Sequence, residues 1–277
     1  MMDILSFLYL PFLAGLILTG IHAYLGVHVV ERGVIFVDLS LAQIAALGTT
    51  MAILLGADIH GQTSYFWSLG FTIIGAAVFA LTRVHRETRI PQEAIIGIVY
   101  AVSAAAAILA MSKATSETEH LKDMLVGNIL SVSRGTVWKT AVVYALVGLF
   151  HYIFRKKFLA ISIGAHNGDA ENIKNLKLWD FLFYTSFGFV VTSSVAIAGV
   201  LLVFSYLIVP SVAAMLFSKS IGMRLAIGWT MGAIVSAIGI LLSFKLDLPT
   251  GATIVCTFGV ALGLLAIVWA IRRPSLA

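Results

Sequence analysis

The sequence predicts an all-α protein that crosses a membrane about nine times, with eight as the alternative count. Three observations carry this. Of 277 residues, 60% are apolar and only 11% are charged, against roughly 45–50% and about 25% in soluble domains. The mean hydropathy is +1.01. The apolar residues also gather in runs of about 20, the length a helix needs to span a bilayer core. A soluble enzyme, a disordered chain and a nucleic-acid binder all fit poorly. The single Cys256 excludes an internal disulfide and any cysteine-based metal cluster.

In chain order the predicted spans are 5–27, 35–56, 64–82, 92–112, 137–154, 178–197, 200–218, 224–243 and 251–271. No basic run precedes the first and no small-residue cleavage site follows it, so it reads as a retained span and not as a signal peptide. Orientation comes from the basic loops: Arg83, Arg86 and Arg89; Arg155, Lys156 and Lys157; Lys219 and Arg224; and the terminal Arg272 and Arg273. Cytoplasmic loops collect Lys and Arg, which puts the N-terminus outside and the C-terminus in the cytoplasm. The net charge of +5 is thereby absorbed by loops. Loop 57–63 has no base, and 113–136 carries Glu117, Glu119, His120 and Asp123 on the outer side.

The whole chain, 1–277, then forms one transmembrane domain. The longest polar interval facing the cytoplasm is 155–177, too short to fold alone. It holds no P-loop, so any ATP hydrolysis belongs to another chain. Two small-xxx-small pairs, Gly228 with Gly232 and Gly259 with Gly263, suit close helix packing within the chain more than contact between chains.

Ionisable groups inside a membrane are rare and face a pathway or a partner. Asp38 lies near the start of the second span, with Ser40 and Gln43 after it. It is a pathway candidate, its structural alternative being a salt bridge to Arg32 or an interfacial cap. Glu93, after Pro91, and Asp180 each sit at the start of a span, where a carboxylate caps its own helix. His22 and His28 are six residues apart, roughly 240° around a helix, so each reads as a hydrogen-bonded helix histidine before a metal ligand. His60 with Asp58, and His120 with Glu117, Glu119 and Asp123, could attract cations but read first as solvated loop charge. No HExxH, GxSxG or paired-aspartate pattern occurs in a span, which leaves intramembrane hydrolysis without support.

Four passages in order, "VERGVIFVDLSLAQIAALGTTMA", "TRIPQEAIIGIVYAVSAAAAIL", "AIAGVLLVFSYLIVPSVAAMLF" and "GILLSFKLDLPTGATIV", resemble the membrane permease of ATP-binding-cassette importers for divalent metals. The third carries Gly199, Pro210 and Ala213–Ala214 in the family's spacing, and the fourth Ser243, Asp247, Pro249 and Gly251. The resemblance implies a multi-pass permease of a bacterial inner membrane, homodimeric, docked on two copies of an ATPase subunit. An extracytoplasmic solute-binding protein would deliver manganese, zinc or iron. ATP–Mg would sit on the partner, with no cofactor held by this chain and no nucleic-acid partner. It also implies that 155–177 couples to the ATPase, through Ile163, Gly164, Ala165, His166, Asn167 and Gly168, although the family's acidic–Pro–Glu pattern is absent there.

The family's second-span motif pairs an Asp with a His four residues on. Here Asp38 matches the Asp, but the His place holds Ala42 or, aligned on Gly48, Gln43. Carboxylate and amide oxygens suit manganese better than zinc. Asp38, Ser40 and Gln43 are therefore the expected pathway residues, with Asp38 and, more remotely, His22 as metal ligands. The alternatives are a stand-alone carrier or channel, a family permease adapted to another substrate, and a membrane scaffold. A carrier needs more intramembrane charge and often an inverted repeat.

Overall fold

The computed structural model describes residues 2–58, 61–83, 90–112, 129–164 and 173–272, with side chains from Leu8. Among the described residues the chain is helical, without strands. The helices are α1 (Met2–Arg32), α2 (Val37–Leu54), α3 (Gln62–Leu81), α4 (Gln92–Met111), α5 (Arg134–Ile153), α6 (Arg155–Gly164), α7 (Leu176–Phe217), α8 (Ile221–Leu246) and α9 (Thr250–Arg272). All but α6 are long and apolar enough to cross a membrane, eight in total.

Predicted 178–197 and 200–218 both lie in α7, where two helices meet at a kink. That 42-residue element is interrupted at Gly199, with φ 74° and ψ 161°, a conformation open essentially to glycine alone. At 1.5 Å per residue the stretches before and after it measure about 34 and about 27 Å, each close to the thickness of a hydrocarbon core. The short α6 occupies the start of the predicted coupling segment.

The chain divides into two compact units. The first comprises 1–30, 125–145 and 196–277, and its helices approach through glycines. A methyl group on Gly26 would meet the Leu207 backbone, one on Gly232 would meet Thr19, and one on Gly239 would lie 2.9 Å from Ile254 Cα. Without a hydrophobic driving force between helices in lipid, such close contact and hydrogen bonding hold helices together. Ser211 donates to Leu207 O at 2.8 Å and to Ala23 O at 3.3 Å. Ser236 donates to Gly232 O at 2.6 Å and meets the Tyr206 hydroxyl at 2.8 Å. Gly228 and Gly232 thus pack inside the chain, whereas a methyl group on Gly259 or Gly263 would meet no other element within 4 Å among the described residues. At the α8–α9 turn Asp247 is left-handed (φ 53°, ψ 47°), and Ser243 bonds Leu248 O at 2.7 Å and Thr250 Oγ1 at 2.6 Å.

The second unit comprises 31–124 and 146–195. Gly48 lets α2 lie on the backbone of Trp67 and Ser68, and Gly75 receives Ile44. Ser68 donates to Ala45 O at 3.0 Å, and Thr72 joins its own Ser68 O at 2.8 Å to Thr192 Oγ1 at 3.2 Å. Helix α6 is amphipathic: Phe158 and Ile161 are fully buried, while Arg155, Lys156 and Lys157 are exposed. Phe158 stacks on His151 at 4.4 Å and meets Trp179 edge-on at 5.8 Å. His151 Nε2 in turn bonds Ser186 Oγ at 2.8 Å.

Candidate functional site

Helix α1 ends at Arg32, and Gly33 turns the chain away at φ 66°, the left-handed step that commonly closes a helix. Phe36 precedes α2 without a side-chain cap of its own helix. Its amide donates instead to Glu93 Oε1 at 2.9 Å, so Glu93 caps α2 from the start of α4. Glu93 also stands in the first turn of its own helix, as the sequence suggests, so its charge lies at both helix starts.

Asp38 follows in the first turn of α2, 2% exposed. Its Oδ1 accepts the Leu39 amide at 2.7 Å, and no cation pairs with it among the described residues. The expected bridge to Arg32 is not formed, because Arg32 Nη1 bonds Asp180 Oδ1 at 2.8 Å. Asp180, 1% exposed, also receives Arg83 Nη1 on Oδ2. It is therefore the centre of a two-arginine clamp and not the N-terminal cap the sequence suggests. Two guanidinium partners offset the cost of burying one carboxylate. Arg32 further donates Nε to Ser162 Oγ at 2.9 Å and lies 3.8 Å over the Phe183 ring.

Ser40 is fully buried, and its hydroxyl has no hydrogen-bond partner among the described residues. Gln43 is half-buried. At about 100° per residue, Gln43 lies about 140° around α2 from Asp38, whereas Ala42 shares the Asp38 face. One copy of α2 therefore does not present Asp38 and Gln43 side by side; Ser40 and Gln43 are the pair that share a direction. His22 lies in the other unit, fully buried, with Nδ1 on Leu18 O at 2.8 Å and its ring edge-on to Tyr144 at 6.2 Å.

Among the described residues no three His, Cys, Asp or Glu side chains group as a metal site. Ile163 and Gly164 end α6; Ala165, His166, Asn167 and Gly168 lie outside the described residues, as do His60 and the 117–123 cluster. Sequence reasoning missed the Arg32–Asp180–Arg83 clamp and the His151–Ser186 pair. The one local signal was a lone aspartate inside the apolar run "LWDFLF".

Chemically, Asp38 is an acidic side chain taken out of water with one backbone amide and the α2 N-terminus to support it. A buried charge without a counter-ion is costly, and a cation arriving at Asp38 supplies that counter-ion.

The model of the ABC 3 transport family matches residues 5–270. The manganese transport system membrane protein MntC of Listeria innocua is 30% identical over 198 residues, covering 69% of this chain and 70% of its own. MntC of Halalkalibacterium halodurans is 26% identical over 256 residues, covering 91% and 85%. The chelated iron transport system membrane protein YfeC of Yersinia pestis is 28% identical over 196 residues, covering 68% and 66%. Among solved structures, PsaBC from Streptococcus pneumoniae in complex with Fab superposes with a TM-score of 0.76 at 22% identity, over 95% of this chain and 93% of that one.

Proposed function

The chain belongs to the ABC 3 transport family, and we propose that Asp38 meets the transported ion inside the membrane. The chain is a multi-pass permease subunit of a metal importer, a transport component and not a catalyst. The observation that carries the role of Asp38 is its burial at 2% exposure while the nearby Arg32 is committed to Asp180. A divalent cation neutralises what no side chain does among the described residues.

Relatives named for manganese and chelated iron support a first-row divalent ion. The donors on α2 are oxygens, which favour manganese over zinc. Ser40 and Gln43 line a second direction of the same helix. Two copies of the chain would bring a second Asp38 to the ion and complete a set that one copy lacks. Energy comes from two ATPase subunits holding ATP–Mg, docked on 155–177 at the cytoplasmic side of a bacterial inner membrane, and a solute-binding protein delivers the ion from outside.

The test is manganese uptake by cells carrying the intact complex, with metal content read by mass spectrometry. Asp38→Ala and Asp38→Asn at normal membrane abundance are expected to lower uptake at least about tenfold, equivalent to about 1.4 kcal/mol of lost interaction. Full uptake by either variant overturns the role.

A further inference from the structure

We propose that Asp180, gripped by Arg32 and Arg83, is the joint through which movement of α6 reaches the α1–α2 corner and Asp38. The inference rests on the permease reading above and goes beyond it to the residues that carry the motion. All of them lie within 31–112 and 146–195, a single compact unit.

The chain of contacts is continuous. Helix α6 opens the 155–177 segment and is anchored by Phe158, which touches His151, Trp179 and Phe183. Four residues later Ser162 accepts Arg32 Nε at 2.9 Å. Arg32 stacks 3.8 Å from the Phe183 ring and bonds Asp180, and Arg83, just beyond α3, holds the other carboxylate oxygen. Arg32 is also the last residue of α1. Gly33, the Phe36 amide on Glu93, and Asp38 follow directly. A tilt of α6 therefore pulls on the same guanidinium that ends α1, six residues before the pathway carboxylate.

Two features suit a joint better than an anchor. Buried ion pairs are weak sources of stability, and their discrete geometry gives alternative arrangements instead of a continuum. Arg32 also divides its donors between Asp180 Oδ1 and Ser162 Oγ, so Nη1 can leave Asp180 while Nε still ties the guanidinium to α6. Asp180 is thus a positioning residue, acting on the ion only through Arg32 and the corner.

The experiment uses the full complex with its ATPase in lipid nanodiscs. A Cys256→Ser background removes the native thiol, and Phe36→Cys, at an exposed position, carries an environment-sensitive fluorophore. ATP is expected to shift its emission in the protein with Asp180 intact. Asp180→Asn is expected to reduce that shift at least about fivefold while ATP hydrolysis stays within about twofold of the parent, and Asp180→Glu to restore most of it. A full shift in Asp180→Asn, or no shift with Asp180 intact, overturns the joint. Should Asp180→Asn fail to assemble on size-exclusion chromatography, Ser162→Ala and Arg32→Lys decide, with an expected loss of about twofold or more and a parental response overturning the proposal. Manganese uptake is read in parallel. An Asp180-dependent shift without uptake removes the metal reading and leaves the joint standing, whereas uptake with an Asp180-independent shift does the reverse.

Discussion

The two compact units meet the same requirement, holding helices together where water is scarce, by different chemistry. In the first, Gly26, Gly228, Gly232 and Gly239 bring backbones into contact and serine hydroxyls stitch across the seams. In the second, the Arg32–Asp180–Arg83 clamp, the Glu93 cap and the stack of His151 on Phe158 do the corresponding work. Contact between small residues is insensitive to charge and admits few rearrangements. Charged and directional contacts can exchange partners, and Asp38, with no cation beside it among the described residues, lies among them. The comparison separates fixed contacts from exchangeable ones by the kind of interaction each uses, the glycine seams being the scaffold.

The largest expected effect breaks the scaffold. Gly26→Val drives side-chain carbons into the Leu207 carbonyl, a backbone atom that cannot step aside. The expected result is loss of folded protein, a cost of about 3 kcal/mol or more, read as the monodisperse fraction in detergent. Next comes Asp180→Ala, which leaves two arginines facing an empty site and is expected to cost about 3–5 kcal/mol in reversible denaturation. Gly232→Ala, pressing on Thr19, should cost about 1–3 kcal/mol in the same assay. Ser40→Ala sharpens the contrast, because it removes a buried hydroxyl that bonds nothing among the described residues. Stability is expected to rise by about 1 kcal/mol while manganese uptake falls, a split that a scaffold residue does not produce. The smallest effect is Gly259→Ala, with open space around it and a helix-propensity gain of about 0.5–1 kcal/mol. A loss comparable to Gly232→Ala would show that this face is packed in the assembly.

Much of the fold is legible because a spanning helix must be apolar over about 20 residues, and no other element produces such runs. Predicted 92–112 is Gln92–Met111, and predicted 251–271 is Thr250–Arg272. The interruption at Gly199 falls in the gap between predicted 178–197 and 200–218, although its φ of 74° was not legible, because its neighbours are as apolar as the spans. In the site, Asp38 stands out as a carboxylate in an apolar run. Its isolation does not, because nearness along the chain favours Arg32, whereas folding hands that arginine to Asp180, 148 positions away. Glu93 shows the same limit: local sequence assigns it to its own helix, but it finds the Phe36 amide 57 positions earlier.

Thr72, Ser186, Ser211 and Ser236 each touch a carbonyl of their own helix and a group on a neighbouring one. In lipid, a helix sliding past another is resisted most by any donor left empty along the way, since no water is present to fill it. These hydroxyls always have the home carbonyl to fall back on, through a small rotation about one bond. They therefore behave as lubricant as much as glue, releasing one neighbour and taking the next without a naked donor in between. A permease that must change shape repeatedly gains from polar contacts of this sort, which break in stages.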